Sequence, residues 1–488
     1  MSYLNLMPII FSIVAGMFLL LRKEFNKRNS LLVFVGVSFV ITTVLTIMSL
    51  ITMQGQEVIL FELAKGLPII LSIDSIGMIF AIVTIIVFLC TCFFSFEYMK
   101  HENNEKRYYG YFLIVFGVLI GICFAGNIVT FYLFFELLTL TSMPLVLHTG
   151  SREAIMAGLK YLFYSLAGAY MALFGIYFVH KHGVTLSFTN GGVFTGQNEI
   201  EVSLFLLVAF FMILGFSVKA GMFPMHAWLP TAHPVAPAPA SAALSAVIVK
   251  AGVLAIIRIV FQIFGASNLS GTWVQTVFST LTLVTVFMGS MLAFREPVLK
   301  KRLAYSTVSQ LSYILFGISI MNIDALSGSI LHVISHAFIK AALFLCAGAI
   351  IYQTGKTRVE ELRGIGKEMP LLMWCYTIVS LGLIGIPPTG GFISKWYLAQ
   401  GALSSKIQVF SWLGPVVLLV SALLTAGYLL PLTIQGFLPG ADYDYENLKK
   451  NEPTKWMTIP VMVLTILSVI VGIYPNIVIT IVKAIGLM

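Results

Sequence analysis

Hydrophobic positions along this chain form long uninterrupted runs, separated by short polar stretches that carry most of the charges. A run of about 20 apolar residues is long enough for a helix to cross the hydrocarbon core of a bilayer. The runs do not alternate between apolar and polar residues, which excludes a transmembrane β-barrel. We therefore predict an all-α polytopic membrane protein with about fourteen transmembrane helices. The predicted spans are residues 3–21, 31–52, 75–97, 109–125, 127–148, 155–179, 203–223, 240–264, 273–293, 303–320, 326–351, 371–402, 410–435 and 457–483.

Composition agrees with this class, since 59% of the 488 residues are hydrophobic and only 10% are charged. The first span is longer and more weakly flanked by charge than a cleaved signal peptide, so we expect it to be retained. The sequence contains no nucleotide, haem or iron–sulfur motif. We therefore expect no cofactor, and whether the chain belongs to an enzyme stays open. The five cysteines, all within predicted spans, are expected to be packing residues: Cys90, Cys92, Cys123, Cys346 and Cys375.

Basic residues are distributed unequally between the two sides of the predicted membrane domain. One side holds 19 Lys and Arg residues, and the other holds 5. Because the more basic side faces the cytoplasm, we predict that both termini lie outside, in the inner membrane of a prokaryotic cell. The net charge of +9 is then a topology signal, and we expect no nucleic-acid partner. The basic loops lie at 22–28, 100–107, 152, 295–302, 356–367 and 449–455.

Two predicted spans contain helix-breaking residues at membrane depth. One break lies at 215–224, and the other, Gly-Ile-Pro-Pro-Thr-Gly-Gly, lies at 385–391. Proline removes a backbone donor, and the freed carbonyls must be buried in protein or line a hydrated cavity. Broken helices at corresponding positions of two halves indicate a transport site.

The sequence around the two breaks contains a faint internal repeat, in which His226 corresponds to Lys395. Two inverted halves would explain it. The predicted organisation is 1–108 with helices 1–3, 109–264 with helices 4–8, 273–435 with helices 9–13, and 457–488 with helix 14.

Five ionisable residues lie deep in apolar segments: Glu136, Lys219, Lys250, Lys340 and Lys395. A charge at the bilayer centre costs roughly 2.5–3.5 kcal/mol on insertion scales, so such groups are paired, hydrated or functional. One acid and four amines in a row suggest a route for protons or cations. The alternatives are a static buried salt bridge for Glu136 and snorkelling to the interface for the lysines. Snorkelling suits Lys160, which lies near the end of a span.

Three polar residues, His332, His336 and Lys340, are spaced four apart and share one face of a helix. This stripe suggests a hydrated path, with metal binding by the two histidines or simple helix packing as alternatives. The stripe has no carboxylate, and we expect no metal. His226 and His233 are further candidates, expected near the inner mouth beside a proline-rich turn at 230–239.

Five stretches carry a family resemblance. They are FELLTLTSMPL from Phe135, VKAGMFPMHAWLPTAHPVAPAPASAALSAVIVKAG from Val218, LKKRLAYSTVSQLSYILFG from Leu299, HVISHAFIKAALFLCAGAI from His332 and GIPPTGGFISKW from Gly385. Together they resemble the antiporter-like subunit family. This family includes subunits of Mrp-type cation/proton antiporters, membrane-arm subunits of complex I and subunits of membrane-bound hydrogenases.

The resemblance implies two inverted five-helix repeats, with helices 7 and 12 broken. It implies that Glu136 is the acid of the fifth helix and Lys219 its partner on the seventh. Lys250 and Lys340 would be central relay lysines, and Lys395 the terminal amine of the twelfth helix.

At Lys395 the chain resembles the D-type subunit of Mrp antiporters and the N-type subunit of complex I. The stretch Pro-Met-His-Ala-Trp-Leu-Pro at 224–230 is closer to complex I-like and hydrogenase-linked members. The leading hypothesis is a proton-translocating subunit of an Mrp-type monovalent cation/proton antiporter, similar to its D-type member. The alternatives are a subunit of a redox-driven complex I-like or hydrogenase complex, or a scaffold that transports nothing. Expected partners are other membrane subunits, the lipid bilayer, protons and, as the candidate second ion, Na+.

Overall fold

The structure, a computed structural model, describes residues 3–22, 27–194, 201–441, 443–444 and 450–486. Two of the basic positions used for the orientation, Lys23 and Lys449, lie outside the described residues.

Helices make up most of the described chain. Before residue 270 they are α1 (Met7–Leu21), α2 (Arg28–Thr52), α3 (Ser75–Tyr98), α4 (Glu105–Cys123), α5 (Ile128–Val146), α6 (Arg152–His182), α7 (Val202–Ser217), α8 (Leu229–Val235), α9 (Ala238–Ala243), α10 (Lys250–Ile257) and α11 (Ala266–Leu269). After it they are α12 (Trp273–Arg295), α13 (Leu299–Ile320), α14 (Ile323–Thr354), α15 (Ile365–Glu368), α16 (Pro370–Ile384), α17 (Gly390–Leu403), α18 (Gln408–Phe437), α19 (Lys455–Ile473) and α20 (Asn476–Ala484). Short 3-10 segments are Leu4–Leu6, Met99–His101 and Val359–Leu362, and π-helical segments are Leu244–Ile248 and Arg258–Ile263.

The described residues include 12 helical segments that are long and apolar enough to cross a membrane. Two shorter apolar helices, α7 and α16, are each continued by a second helix after a break, α8 and α17. The prediction of a polytopic helical membrane protein is thereby confirmed. The count of fourteen helices and the inverted repeats stay predictions.

A β-hairpin, which the sequence analysis did not predict, connects α2 and α3. Its strands are β1 (Glu57–Ala64) and β2 (Leu67–Ser72), with Val58 opposite Leu71. The hairpin is tied to the end of α4, where Ser72 N donates to the carbonyl of Phe124 at 2.8 Å. β1 is mostly exposed, so its sequence lacks the regular apolar alternation that marks a half-buried strand.

The most buried helices lie at the centre of the bundle. In an apolar 18-residue stretch of each segment, all residues are buried in Ala238–Ile263 and 94% are buried in α13 and in α14. The corresponding share is 39% for the segments that contain α1 and α2. Small residues permit this close packing, since a side chain at Gly328 of α14 would collide with the backbone of Leu398 in α17. These central helices carry Lys250, His332, His336 and Lys340.

Candidate functional site: a line of buried amines and imidazoles

The first helix break lies within the protein. Helix α7 ends at Ser217, residues 218–228 form turns, and α8 begins at Leu229. Trp228 Nε1 donates to the carbonyl of Val218 at 2.9 Å, and the backbone N–H of Phe223 donates to Thr285 Oγ1 at 3.0 Å. These bonds satisfy backbone groups that the break removes from the helix, as non-helical backbone at membrane depth requires.

The second break is capped by Lys395. Its Nζ donates to the carbonyls of Leu383 and Ile384, the last two residues of α16, at 2.6 and 2.9 Å. Gly385, which follows, has a φ of +98°, the left-handed conformation that commonly ends helices. A cation is favourable at the carboxyl end of a helix because its carbonyls carry partial negative charge. Lys395 is therefore held at the break itself.

Lys219 lies in the first break and is buried between α5 and α6. Its Nζ donates to Thr139 Oγ1 at 2.5 Å and to Tyr161 OH at 2.9 Å, and lies 5.2 Å from the centre of the Phe135 ring. Two hydroxyls and a ring face thus replace water around this ammonium group.

Glu136, which the family resemblance pairs with Lys219, lies near that residue but makes no direct contact with its amine. Glu136 lies on α5, one helical turn before the Thr139 that binds Lys219. Within the described residues, no ion pair within 4.0 Å joins the two side chains, and Glu136 Oε1 has no hydrogen-bond partner. The ammonium group is solvated by hydroxyls instead, which leaves the half-buried carboxylate a short distance away.

Lys250 and His336 join two of the central helices. Lys250 follows the π-helical segment Leu244–Ile248, and its Nζ donates to the carbonyl of Ala246 in that segment at 2.5 Å. The same Nζ lies 3.0 Å from His336 Nδ1 of α14. π-Helical turns occur frequently at functional sites because they reposition side chains. This contact links residues 86 positions apart in the sequence.

His332 continues this line toward the second break. Its ring lies 5.9 Å from that of His336, and its Nδ1 lies 2.8 Å from Ser394 Oγ, next to Lys395 in sequence. The Tyr313 ring lies 5.7 Å from that of His332 and 4.9 Å from Lys395 Nζ. An unbroken series of contacts therefore runs from Lys250 to the Lys395 region.

Lys340 lies one turn beyond His336 on α14 and points to α13. Its Nζ donates to Ser306 Oγ at 2.7 Å and to the carbonyl of Leu303 at 3.0 Å. Tyr428 of α18 also donates to Ser306 Oγ, at 2.7 Å. The stripe predicted from the four-residue spacing is thus fully buried, and each member has a polar partner on another helix.

These contacts argue against metal binding by the two histidines of the stripe. His332 uses both ring nitrogens, toward Ser394 and toward Gln310 Oε1 at 3.1 Å, and His336 Nδ1 faces an amine. Among the described residues, no group of three or more His, Cys, Asp or Glu side chains is placed to hold a metal ion.

The remaining candidates occupy different environments. His233 of α8 is fully buried against Phe344, and within the described chain neither of its ring nitrogens has a partner. His226, in the first break, is half-buried. Lys160 of α6 borders a surface groove of about 650 Å³, where it can reach the interface.

Two basic residues that the sequence analysis counted as loop or span-end charges are buried. Arg258 of the second π-helical segment forms an ion pair with Asp74, which precedes α3. Burial acts to raise the pKa of Asp74, but the charge and hydrogen bonds of Arg258, together with hydrogen bonds from Gly77 and Gln262, lower this pKa below its ordinary value. Lys300, in the first turn of α13, donates to the carbonyls of Pro234 and Ala236 at 3.0 and 2.5 Å. Helix α13 begins at Leu299, before the predicted start of this span at residue 303, and the two carbonyls accept hydrogen bonds from the charged amine.

The fold and this site together define a multi-pass membrane protein whose buried core holds a line of ionisable groups between two broken helices. A family model described as "NADH:quinone oxidoreductase/Mrp antiporter, TM" matches residues 125–438. A second, described as "NADH-Ubiquinone oxidoreductase (complex I), chain 5 N-terminus", matches residues 65–109. The chain belongs to this family of antiporter-like membrane subunits, as the motifs predicted.

Relatives in the family come from different kinds of complex. The chain is 32% identical over 385 residues to the N subunit of NADH-quinone oxidoreductase from Desulforudis audaxviator, covering 77% of this chain and 75% of that protein. It is 27% identical over 476 residues to the D subunit of the Na(+)/H(+) antiporter from Alkalihalophilus pseudofirmus, covering 97% and 94%.

Two solved structures have the same fold. One is a chain of the Mrp complex from a Dietzia species, with a TM-score of 0.82 and 20% identity. The other belongs to the membrane-bound sulfane sulfur reductase, an archaeal respiratory membrane complex, with a TM-score of 0.86 and 22% identity. Each alignment covers 99% of this chain and 96% of the other.

Proposed function

We propose that the chain is a proton-translocating, antiporter-like subunit of a multisubunit membrane complex, most similar in role to the D-type member of an Mrp-type cation/proton antiporter. The observation that carries this proposal is the series of contacts from Lys250 through His336 and His332 to Ser394 and Lys395. When two ionisable groups are this close, a proton on one changes the affinity of the other for its own proton. Such coupling transmits a charge change along the line.

The proposed path also includes Glu136, Lys219 and Lys340, with His226, His233 and Lys160 as further candidates. Its partners are other membrane subunits, since the named relatives are subunits of larger assemblies. Protons are the proposed cargo, and Na+ is the candidate second ion in the antiporter hypothesis.

Replacing Lys219 distinguishes a subunit that transports protons from a passive scaffold subunit. In the intact complex reconstituted in vesicles, Lys219→Ala is expected to abolish proton-coupled cation flux, because the ammonium bound to Thr139 and Tyr161 is lost. Lys65→Ala, the same change at the exposed turn between β1 and β2, is the control and should transport normally. Wild-type flux in the assembled Lys219→Ala complex would favour the scaffold.

A second candidate function is a subunit of a redox-driven complex. The observation favouring it is the 32% identity to the N subunit of a NADH-quinone oxidoreductase, above the 27% to the D subunit of the antiporter. Purification of the complex under mild detergent, followed by identification of its subunits, separates the two. Other Mrp-type subunits support the antiporter, whereas a dehydrogenase or hydrogenase arm supports the redox-driven complex.

The proposed orientation, with both termini outside a prokaryotic inner membrane, is testable by cysteine labelling. A cysteine at residue 2 should react with an impermeant maleimide from outside intact cells, and Lys450→Cys only after permeabilisation. The five native cysteines are buried, so background labelling is expected to be low. Labelling of both sites from the same side contradicts the orientation.

A further inference from the structure

Two apolar grooves meet at one end of helix α3. The first, of about 740 Å³, lies between α2 and α3. The second, of about 530 Å³, lies between α3 and α19. Both are bordered by Phe93 and Trp456, whose rings stack with their centres 6.3 Å apart. This ring pair, which we call the divider, separates two otherwise adjoining grooves.

The walls of both grooves are aliphatic. Val33 and Val37 of α2 line the first and are 65% and 51% exposed, and Ile459 of α19 lines the second and is 54% exposed. Gly36 lies in the first groove, where an added Cβ would meet Phe96 Cζ at an ordinary 3.7 Å. Each groove therefore offers an apolar surface suited to a single hydrocarbon chain.

Basic side chains border the grooves at one end. Arg28 of the first groove is paired with Glu105 at 2.6 Å, and Lys100 with Glu97 at 2.7 Å while its side chain stays 46% exposed. Lys455 borders the second groove, is exposed, and forms no ion pair within the part of the chain that the structure describes. Among the described residues, the border thus carries a positive charge at Lys455 that no carboxylate pairs with.

We propose that the two grooves form a binding site for one anionic phospholipid with two acyl chains. One chain lies in each groove, the divider lies between them, and the phosphate lies beside Lys455 and the exposed part of Lys100. Tryptophan at the boundary between apolar walls and charged groups matches the headgroup level of a bilayer. A partner helix would need one continuous groove, and the divider interrupts it. The site is independent of the proposed proton path.

Quenching of Trp456 fluorescence by brominated lipids tests this site. The intact complex is reconstituted in phosphatidylcholine vesicles with small amounts of dibrominated phosphatidylglycerol or dibrominated phosphatidylcholine. The fluorescence of Trp456 is obtained by subtracting the fluorescence of the Trp456→Phe complex from that of the wild-type complex. Because one uncompensated lysine favours an anionic lipid, half-quenching is expected at an about fivefold lower mole fraction of the phosphatidylglycerol.

Three variants distinguish the binding of the lipid headgroup from the binding of its acyl chains. Lys455→Ala is expected to remove most of the preference for the anionic lipid, whereas Lys450→Ala, an exposed lysine that borders neither groove, should keep it. Gly36→Leu fills the first groove and should weaken quenching by the phosphatidylglycerol. Equal half-quenching by the two lipids in wild type would indicate ordinary annular lipid and overturn the proposal. Absence of quenching by either lipid would indicate a covering protein partner and also overturn it.

Discussion

Replacing Glu136 by glutamine is expected to abolish proton-coupled transport while the complex still assembles. The amide keeps the shape of the side chain but cannot take up and release a proton. Glu136 Oε1 lacks a hydrogen-bond partner among the described residues, so the substitution breaks no bond of that atom. The nearby Lys219 stays bound to Thr139 and Tyr161. A large loss of flux with little loss of stability is the expected combination.

Proton flux in vesicles that contain the intact complex measures this effect, and gel filtration checks assembly. Glu62→Gln, at an exposed position of the hairpin, removes the same charge outside the core and should transport normally. Near-normal flux for Glu136→Gln would show that Glu136 carries no proton in the transport cycle.

Replacement of Lys395 is the second change for which we expect a large effect. Lys395→Ala leaves the carbonyls of Leu383 and Ile384 without the ammonium that binds them, so both transport and the local helix end should suffer. An unsatisfied buried polar group costs about 1–3 kcal/mol. Lys395→Ala should impair transport more than Lys160→Ala does, because Lys160 lies near the end of a span and can reach the interface.

The substitution Lys395→Arg distinguishes two roles of this residue: releasing a proton, and binding the carbonyls at the end of α16. A guanidinium keeps the charge and can donate to the same two carbonyls, but it does not release its proton in proteins. Normal assembly with loss of coupled flux is therefore expected, measured by thermal unfolding and vesicle flux on one preparation. If Lys395→Arg transports at the wild-type rate, the residue acts only as a fixed positive charge that caps α16.

Sequence patterns were sufficient for the features that depend on local composition. Continuous apolar runs predicted the spans, because a helix needs about 20 such residues to cross a bilayer. Glycine and proline at 215–224 and 385–391 predicted the two breaks, because these residues destabilise a helix wherever they occur. The four-residue spacing of His332, His336 and Lys340 predicted their shared face in the same way.

The residues that contact the buried ionisable side chains could be identified only from the tertiary structure. The family resemblance implied that Lys219 is the partner of Glu136, but only the packing of α5 and α6 shows that Thr139 and Tyr161 bind its amine. The contact of Lys250 with His336 depends on how two helices are rotated against each other and on a π-helical segment. Helix rotation about its own axis is decided by neighbouring helices, which no local pattern specifies.

The sequence by itself therefore determined the membrane class, the positions of the breaks, the buried ionisable residues and the family. Only the tertiary structure decided which groups touch, that Arg258 is buried against Asp74 at a separation of 184 residues, and that the connection after α2 is a hairpin. The physical reason is that burial and helix breaking are properties of a residue type in its segment. Hydrogen bonds between helices depend instead on distances of a few ångströms across the whole fold.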